Sequence, residues 1–281
     1  MTSLPMDPVD FVSAVRRGDL ESVKGALEAG FDPTQTTDAN HTRGRETPAT
    51  VDDNGAIVVA CELDTRVRTD MALLLLGWTG SGPLEGKRVN PSVDRNVCLW
   101  NAAWFGDATL FNALLTWDGP EDHKPDPQSR DRGADQILDL LCSDECCPSA
   151  SVAESMLDSA LAWRGRGGKR VDLTASRHLL KNACVNNLAS CVQKIFQWRG
   201  FGSDGHECPW VDPRKKRNEA FVEACKHAAL DVMRVLREWR APDGHGCVIT
   251  HTLPRGWNSI GGVDYAPVMT MLLSWHPDGV F

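Results

Sequence analysis

Nowhere in its 281 residues does the chain hold eighteen uninterrupted apolar residues, so no stretch reads as a transmembrane helix. Its opening, MTSLPMDPVD, has neither the basic nor the apolar part of a signal peptide. The sequence therefore predicts a soluble intracellular protein, cytoplasmic or nuclear, with no membrane partner. Its ten cysteines then read as reduced thiols rather than a disulfide framework. Basic residues are not in excess either. Thirty Lys and Arg face 38 Asp and Glu, and the net charge of −8 is spread along the chain, which argues against a nucleic-acid partner. Nor does any pattern set a base beside a Ser or Cys, as nucleophilic catalysis requires.

What the chain does have is recurrence. One unit can be read whole from Val211 to Gly246. Val211-Asp212-Pro213 is a turn signal, and Asn218 suits the N-cap of a short helix carrying Phe221, Val222, Ala224 and Cys225. Leu230, Val232, Met233, Val235, Leu236 and Trp239 follow at helical spacing, and Ala241-Pro242-Asp243-Gly244 stops that helix. Two helices of about three turns each cannot bury their apolar faces alone and need neighbours on both sides. Trp78, Trp117, Trp163, Trp198, Trp239 and Trp275 each close an apolar run, roughly forty residues apart, and read as core. Fifteen residues before the Trp stands a small pair: Ala102-Ala103, Ala183-Cys184 and Ala224-Cys225. Ala60-Cys61 repeats it before Trp78 with three residues inserted. Beyond the Trp comes a Val-Asp-Pro-like triplet: Val89-Asn90-Pro91, Pro125-Asp126-Pro127, Val171-Asp172-Leu173 and Val211-Asp212-Pro213. An Asp recurring in a turn predicts a side chain that caps nearby backbone amides rather than a set of catalytic carboxylates.

The N-terminal copy runs Ala14-Val15-Arg16-Arg17-Gly18-Asp19-Leu20, then Ala26-Leu27-Glu28-Ala29-Gly30-Phe31-Asp32-Pro33, and closely resembles an ankyrin repeat. Gly106-Asp107 keeps that family's break between helices, and Asn187 suits it because Asn tolerates a left-handed cap; Ala228 departs from it. The family's Thr-Pro-Leu-His helix start is absent, and the repeats exceed its usual length of about 33 residues. The chain is similar to the divergent Trp-x-Gly/Val-Asp-Pro repeat type of large DNA viruses of protists. The resemblance implies a mainly α fold: an ankyrin-type solenoid of about seven helix-turn-helix repeats with extended hairpin-like fingers. It would form one domain, with an N-terminal repeat over 1–33, a polar loop over 34–53, and further repeats over 54–281, the last a degenerate cap. It also implies a non-catalytic, monomeric interaction module, scaffold or adaptor, that needs no cofactor and binds a protein partner through its concave face and fingers. Mapped by register, the binding positions are Arg16, Arg17, Glu62, Leu63, Trp104, Phe105, Val185, Asn186, Lys226 and His227, with Trp210 in a finger. Trp104 and Phe105 suit binding anchors, although inside a helix they equally suit a core. Trp210 has the same two readings.

Several patterns imitate other chemistry. Gly200 to Gly205 spells GxGxxG but follows a helix rather than a strand, so it reads as a finger turn. Gly82 to Arg88 imitates a phosphate loop, with Arg88 where a magnesium-binding hydroxyl belongs. His206, Cys208, His245 and Cys247 fall in equivalent fingers and would satisfy tetrahedral zinc, but each pair has one intervening residue rather than two to four. Cys142, Cys146 and Cys147 lack a fourth ligand, while Cys61, Cys184 and Cys225 read as small core hydrophobes. Arg214-Lys215-Lys216-Arg217 reads as a solvated helix entry, or as a nuclear-import patch. The alternative to an interaction module is thus a zinc-binding protein, or a metal- or nucleotide-dependent enzyme, built on the repeats.

Overall fold

The computed structural model describes residues 6–36, 54–63, 65–129, 137–146, 149–176, 178–199, 210–240 and 262–275. Among them are thirteen α-helices and no strand, so the fold is mainly helical, as the spacing predicts. Where described, the segments expected to be hairpin-like contain short 3-10 turns, such as Pro33–Gln35, Gly82–Leu84, Glu121–His123 and Leu173–Ala175. Contacts divide the chain into two compact units, Met1–Ile137 with Ala162–Lys169, and Leu138–Leu161 with Arg170–Phe281.

The first unit holds α1 (Pro8–Arg16), α2 (Leu20–Glu28), α3 (Gly55–Glu62), α4 (Thr65–Leu76), α5 (Val93–Trp104) and α6 (Ala108–Thr116). They pack as pairs, α1 on α2, α3 on α4 and α5 on α6. The first helices also lie side by side, α3 between α1 and α5, and so do the second helices, α4 between α2 and α6. The central position explains the sequence of α3: every residue from Gly55 to Cys61 is buried, whereas α1 buries one face through Phe11, Val12, Ala14 and Val15. Asp7, Asp19 and Asp107 cap α1, α2 and α6 by accepting backbone amides of Asp10, Ser22 and Leu110 at 2.8, 3.1 and 2.9 Å.

The second unit holds α7 (Ile137–Leu140), α8 (Ala150–Ala162), α9 (Leu179–Val185), α10 (Ala189–Gln197), α11 (Lys215–Lys226), α12 (Leu230–Glu238) and α13 (Ala266–Trp275); the first residue of α7 and the last of α8 belong to the other unit. Here α9 packs on α11, and α10 and α13 on α12. Lys194 of α10 reaches Glu154 and Asp158 of α8 at 2.8 and 2.6 Å. Asn182 of α9 donates to the Asp139 carbonyl of α7 at 2.8 Å.

The recurring residues make recurring contacts. Within a pair the chain turns at a left-handed residue: Gly18 (φ +70°), Gly106 (+63°), Asn187 (+51°) and Ala228 (+49°). In each case the amide after it donates to the first carbonyl of the small pair, as Asp19 does to Ala14 (3.0 Å) and Ala229 to Ala224 (2.8 Å). At the other end of the pair the closing Trp leaves the helix in an extended conformation (ψ 133° at Trp117). Its indole N–H donates to a backbone carbonyl of an earlier segment, Trp117 to Leu76 at 3.1 Å and Trp163 to Pro125 at 3.0 Å. The glycine two residues on lies against the ring, since a Cβ at Gly119 or Gly165 would come within 1.9 or 2.4 Å of the indole Cη2. The Arg after Trp163, Trp198 and Trp239 turns back onto the last carbonyls of its own helix, at 2.7–2.9 Å. The Asp or Asn of each triplet caps the amide two residues later, at Asp32, Asn90, Asp126, Asp172 and Asp212.

Two expectations need correction. Trp78, Trp117, Trp163 and Trp239 are buried, but Trp198 and Trp275 are only half-buried. Trp198 makes no indole bond of the Trp117 kind among the described residues, and Trp275 meets Phe221 edge-on at 5.6 Å with no later described helix over it. Asn218 does not cap α11, which begins at Lys215; Asn218 sits within it in the left-handed region (φ +62°). Asn96 (+66°) near the start of α5 and Asn54 (+99°) just before α3 hold the same register, six residues before the small pair, where Asn is tolerated for its short polar side chain. Asn54 and Asn96 do work there that the sequence reading missed. Their Oδ1 atoms accept the amides of Asn90 and Asp126, the turn residues one copy later, at 2.8 and 2.9 Å.

Candidate functional site

Among the described residues, the end of α5 carries the most exposed aromatic groups. Helix spacing puts Trp104 and Phe105 just past Ala102-Ala103, which are themselves fully buried. Trp104 is 37% and Phe105 41% exposed, so neither belongs to the core. They are not loose. Trp100, one turn earlier, stacks on Trp104 with ring centroids 5.0 Å apart and planes at 10°. The Arg68 guanidinium lies 3.8 Å from the centre of the Phe105 ring and donates twice to the Leu63 carbonyl, at 2.8 and 2.6 Å. Arg68 is 1% exposed, so one buried cation joins α4, the end of α3 and the underside of Phe105. The remaining positions of this unit, Arg16, Arg17 and Glu62, are exposed, and Leu63 is half-buried.

The predicted positions in the second unit are more engaged. Asn186 donates to the Cys142 carbonyl at 2.8 Å, and Val185 is half-buried. Lys226 pairs with Glu223 at 3.0 Å, His227 lies 3.9 Å from the same carboxylate, and Tyr265 donates to the Lys226 carbonyl at 2.9 Å. Trp210 is half-buried against Trp239, with centroids 5.3 Å apart, and Arg214 sits 5.5 Å from both rings. That makes Trp210 a packing residue at least as much as an anchor.

The sequence reading missed Trp100 and Arg68. Trp100 was legible, since it stands four residues before Trp104 on the same helical face. Arg68 was not, because a fully buried Arg is rare and nothing local marks it.

The imitations of other chemistry resolve differently. Lys87 of the phosphate-loop-like stretch reaches Asp32 at 2.7 Å, and Arg88 reaches Asp118 at 2.9 Å and the Leu76 carbonyl at 3.2 Å. The GxGxxG stretch, His206, Cys208, His245, Cys247 and Cys147 lie outside the described residues. Among those described, no group of three or more His, Cys, Asp or Glu could hold a metal ion. The seven described cysteines are buried free thiols. Burial pushes Cys225 up to about 12 and Cys146 to about 11, far from a thiolate at neutral pH. A hydrogen bond with Cys142 draws Cys191 down, yet Cys191 has no exposed surface from which to react. No helix among the described residues is long and apolar enough to cross a membrane. Compared with family models and with curated proteins, the chain matches none.

Proposed function

We propose that the chain is an ankyrin-repeat protein and acts as a non-catalytic protein-binding module, a scaffold or adaptor. The repeat reading is supported by the side-by-side order of first and second helices within each unit and by the left-handed turn that recurs after the small pair. The functional reading rests on one observation: Trp104 and Phe105 stand exposed at the positions that would line the concave face of such a repeat. Large rigid aromatics held in place lose little side-chain freedom on binding, and clustered exposed apolar groups mark interaction surfaces. A Trp104→Ala, Phe105→Ala double variant should keep the wild-type helical melt and lose the proteins that the full chain captures from its native cell. Unchanged capture by the folded variant would sink the reading, and unfolding would return the two aromatics to the core.

A further inference from the structure

We propose that Arg68 makes the aromatic face selective: lying under Phe105, it bars a cationic side chain from the open side of the ring, so the face takes an aliphatic side chain of a partner protein. This rests on the protein-binding reading and names the chemistry of the partner. The place of Arg68 follows from how α3 ends. Helices α1, α5, α9 and α11 each run into a left-handed residue, at Gly18, Gly106, Asn187 and Ala228. The cap of α3, Leu63, is instead extended (φ −65°, ψ 165°). Its carbonyl is taken by a side chain of the next helix, through Arg68 Nε at 2.8 Å and Nη2 at 2.6 Å. Both neighbours of Arg68 are held too. Val67 lies against Gly18 in the turn after α1, where an added Cβ would come within 2.8 Å of its Cγ1. Thr69 donates to the Asp107 carboxylate in the turn after α5. Arg68, 1% exposed, is therefore fixed at its backbone as well as at its guanidinium.

The guanidinium lies 3.8 Å from the centre of the Phe105 ring, well within cation–π range. Ring faces carry the negative part of the quadrupole, and here one cation already draws on it. Arg68 keeps its proton whatever else it pairs with. A Lys or Arg of a partner, set over the open face, would stand about twice that distance from the buried guanidinium. Between the two would lie a ring rather than water, and like charges so placed are poorly screened. An aliphatic side chain meets no such opposition. It covers apolar area on Phe105 and on Trp104, both of which remain exposed. The Trp100 ring stacks on Trp104, so each exposed aromatic has one face held by a neighbour and loses little freedom when the partner arrives.

The test is selection of a random-peptide display library on the whole purified chain, followed by fluorescence anisotropy with the enriched peptides. Peptides that lose binding to the Trp104→Ala, Phe105→Ala chain should share an aliphatic residue. That residue is then replaced by lysine and by acetyl-lysine, which keeps the stem and lacks the charge. On wild type the lysine peptide should bind about fivefold or more weaker than the acetylated one. The gap should shrink to about twofold or less in Arg68→Met, and in Arg68→Gln, which keeps a donor for the Leu63 carbonyl. Loss of packing alone would weaken both peptides together and leave the gap unchanged. A gap that persists in a variant melting as wild type does overturns the role given to Arg68. So does a lysine peptide that binds wild type as well as its acetylated form, a comparison that needs no variant to fold. Enriched peptides that share a Lys or Arg instead overturn the aliphatic partner. In these three cases the dependence on Trp104 and Phe105 leaves the binding face standing. If no enriched peptide depends on the two aromatics, the binding face itself falls.

Discussion

The joints between first helices in the first unit differ from the joint between α9 and α11 in the second. In the first, Asn54 and Asn96 each reach from a left-handed position and accept the amide of the next turn residue, Asn90 or Asp126. In the second, the matching residue in the sequence before Ala183 is Arg177, which lies outside the described residues. At that joint a cavity of about 370 Å³ opens, lined among others by Ser176, Leu180, Val211, Pro213 and Ala220. The contrast shows what the asparagine does. A short side chain with one acceptor closes the corner between two first helices and satisfies a turn amide at once.

The largest effect that would test this picture lies outside the joints. Trp117→Ala should cost about 3–5 kcal/mol in urea unfolding, because it removes a buried ring and one of the two donors to the Leu76 carbonyl. The same change at half-buried Trp198 should cost clearly less; equal losses would mean that burial does not separate the two. Next come the joints themselves. Asn96→Ala should cost about 2–3 kcal/mol, from an unpaired turn amide plus a left-handed alanine. Arg177→Asn should gain up to about 1 kcal/mol if the staple can be transplanted. A loss from Arg177→Asn would show that the second joint is held by something else.

A smaller effect concerns the turn inside each pair. Ala228 occupies a conformation that glycine takes at Gly18 and Gly106. Ala228→Gly should therefore raise stability by about 0.5–1 kcal/mol, and Gly106→Ala should lower it by about 1–2 kcal/mol. A loss from Ala228→Gly, or no change from Gly106→Ala, would break the equivalence of these turns. The smallest effect is electrostatic. Burial pushes the Asp32 carboxyl up, but bonds from Lys87 and Thr34 outweigh it and hold it below its ordinary value. A carboxylate depressed in the fold stabilises it above the unfolded value, and that contribution is lost as pH falls through the folded one. Lys87→Met should thus move the acid-unfolding midpoint slightly upward and change stability at neutral pH by less than about 0.5 kcal/mol, since the lysine is largely solvated.

Much of the helical layout was legible because it depends on local chemistry. The small pair, the left-handed turn, the Trp exit and the Asp turn each operate over a few residues, so spacing alone announced them. Residues whose partners lie a whole repeat away were harder. The Asn54 and Asn96 acceptors serve amides some thirty residues on, and only their shared register, six before the small pair, betrays them. Arg68 had no such signal, since its partners Leu63 and Phe105 come together only through packing. Of the proposed contact surface, sequence register picked out Trp104 and Phe105 but not the stacked Trp100. In the second unit it picked out Asn186, whose side chain is occupied by a carbonyl of the preceding segment.

The exit corner has an evolutionary corollary. Arg164 ties down the helix carbonyls, Gly165 lies on the Trp163 ring, and Asp172 begins the next turn with its own amide cap. Both ends of the intervening segment are therefore anchored by their immediate neighbours. Residues can be inserted or exchanged over the exposed stretch 166–170, short of buried Val171, without rewriting the helix pairs, so this corner is a site of low mutational constraint at which new loops can be tried.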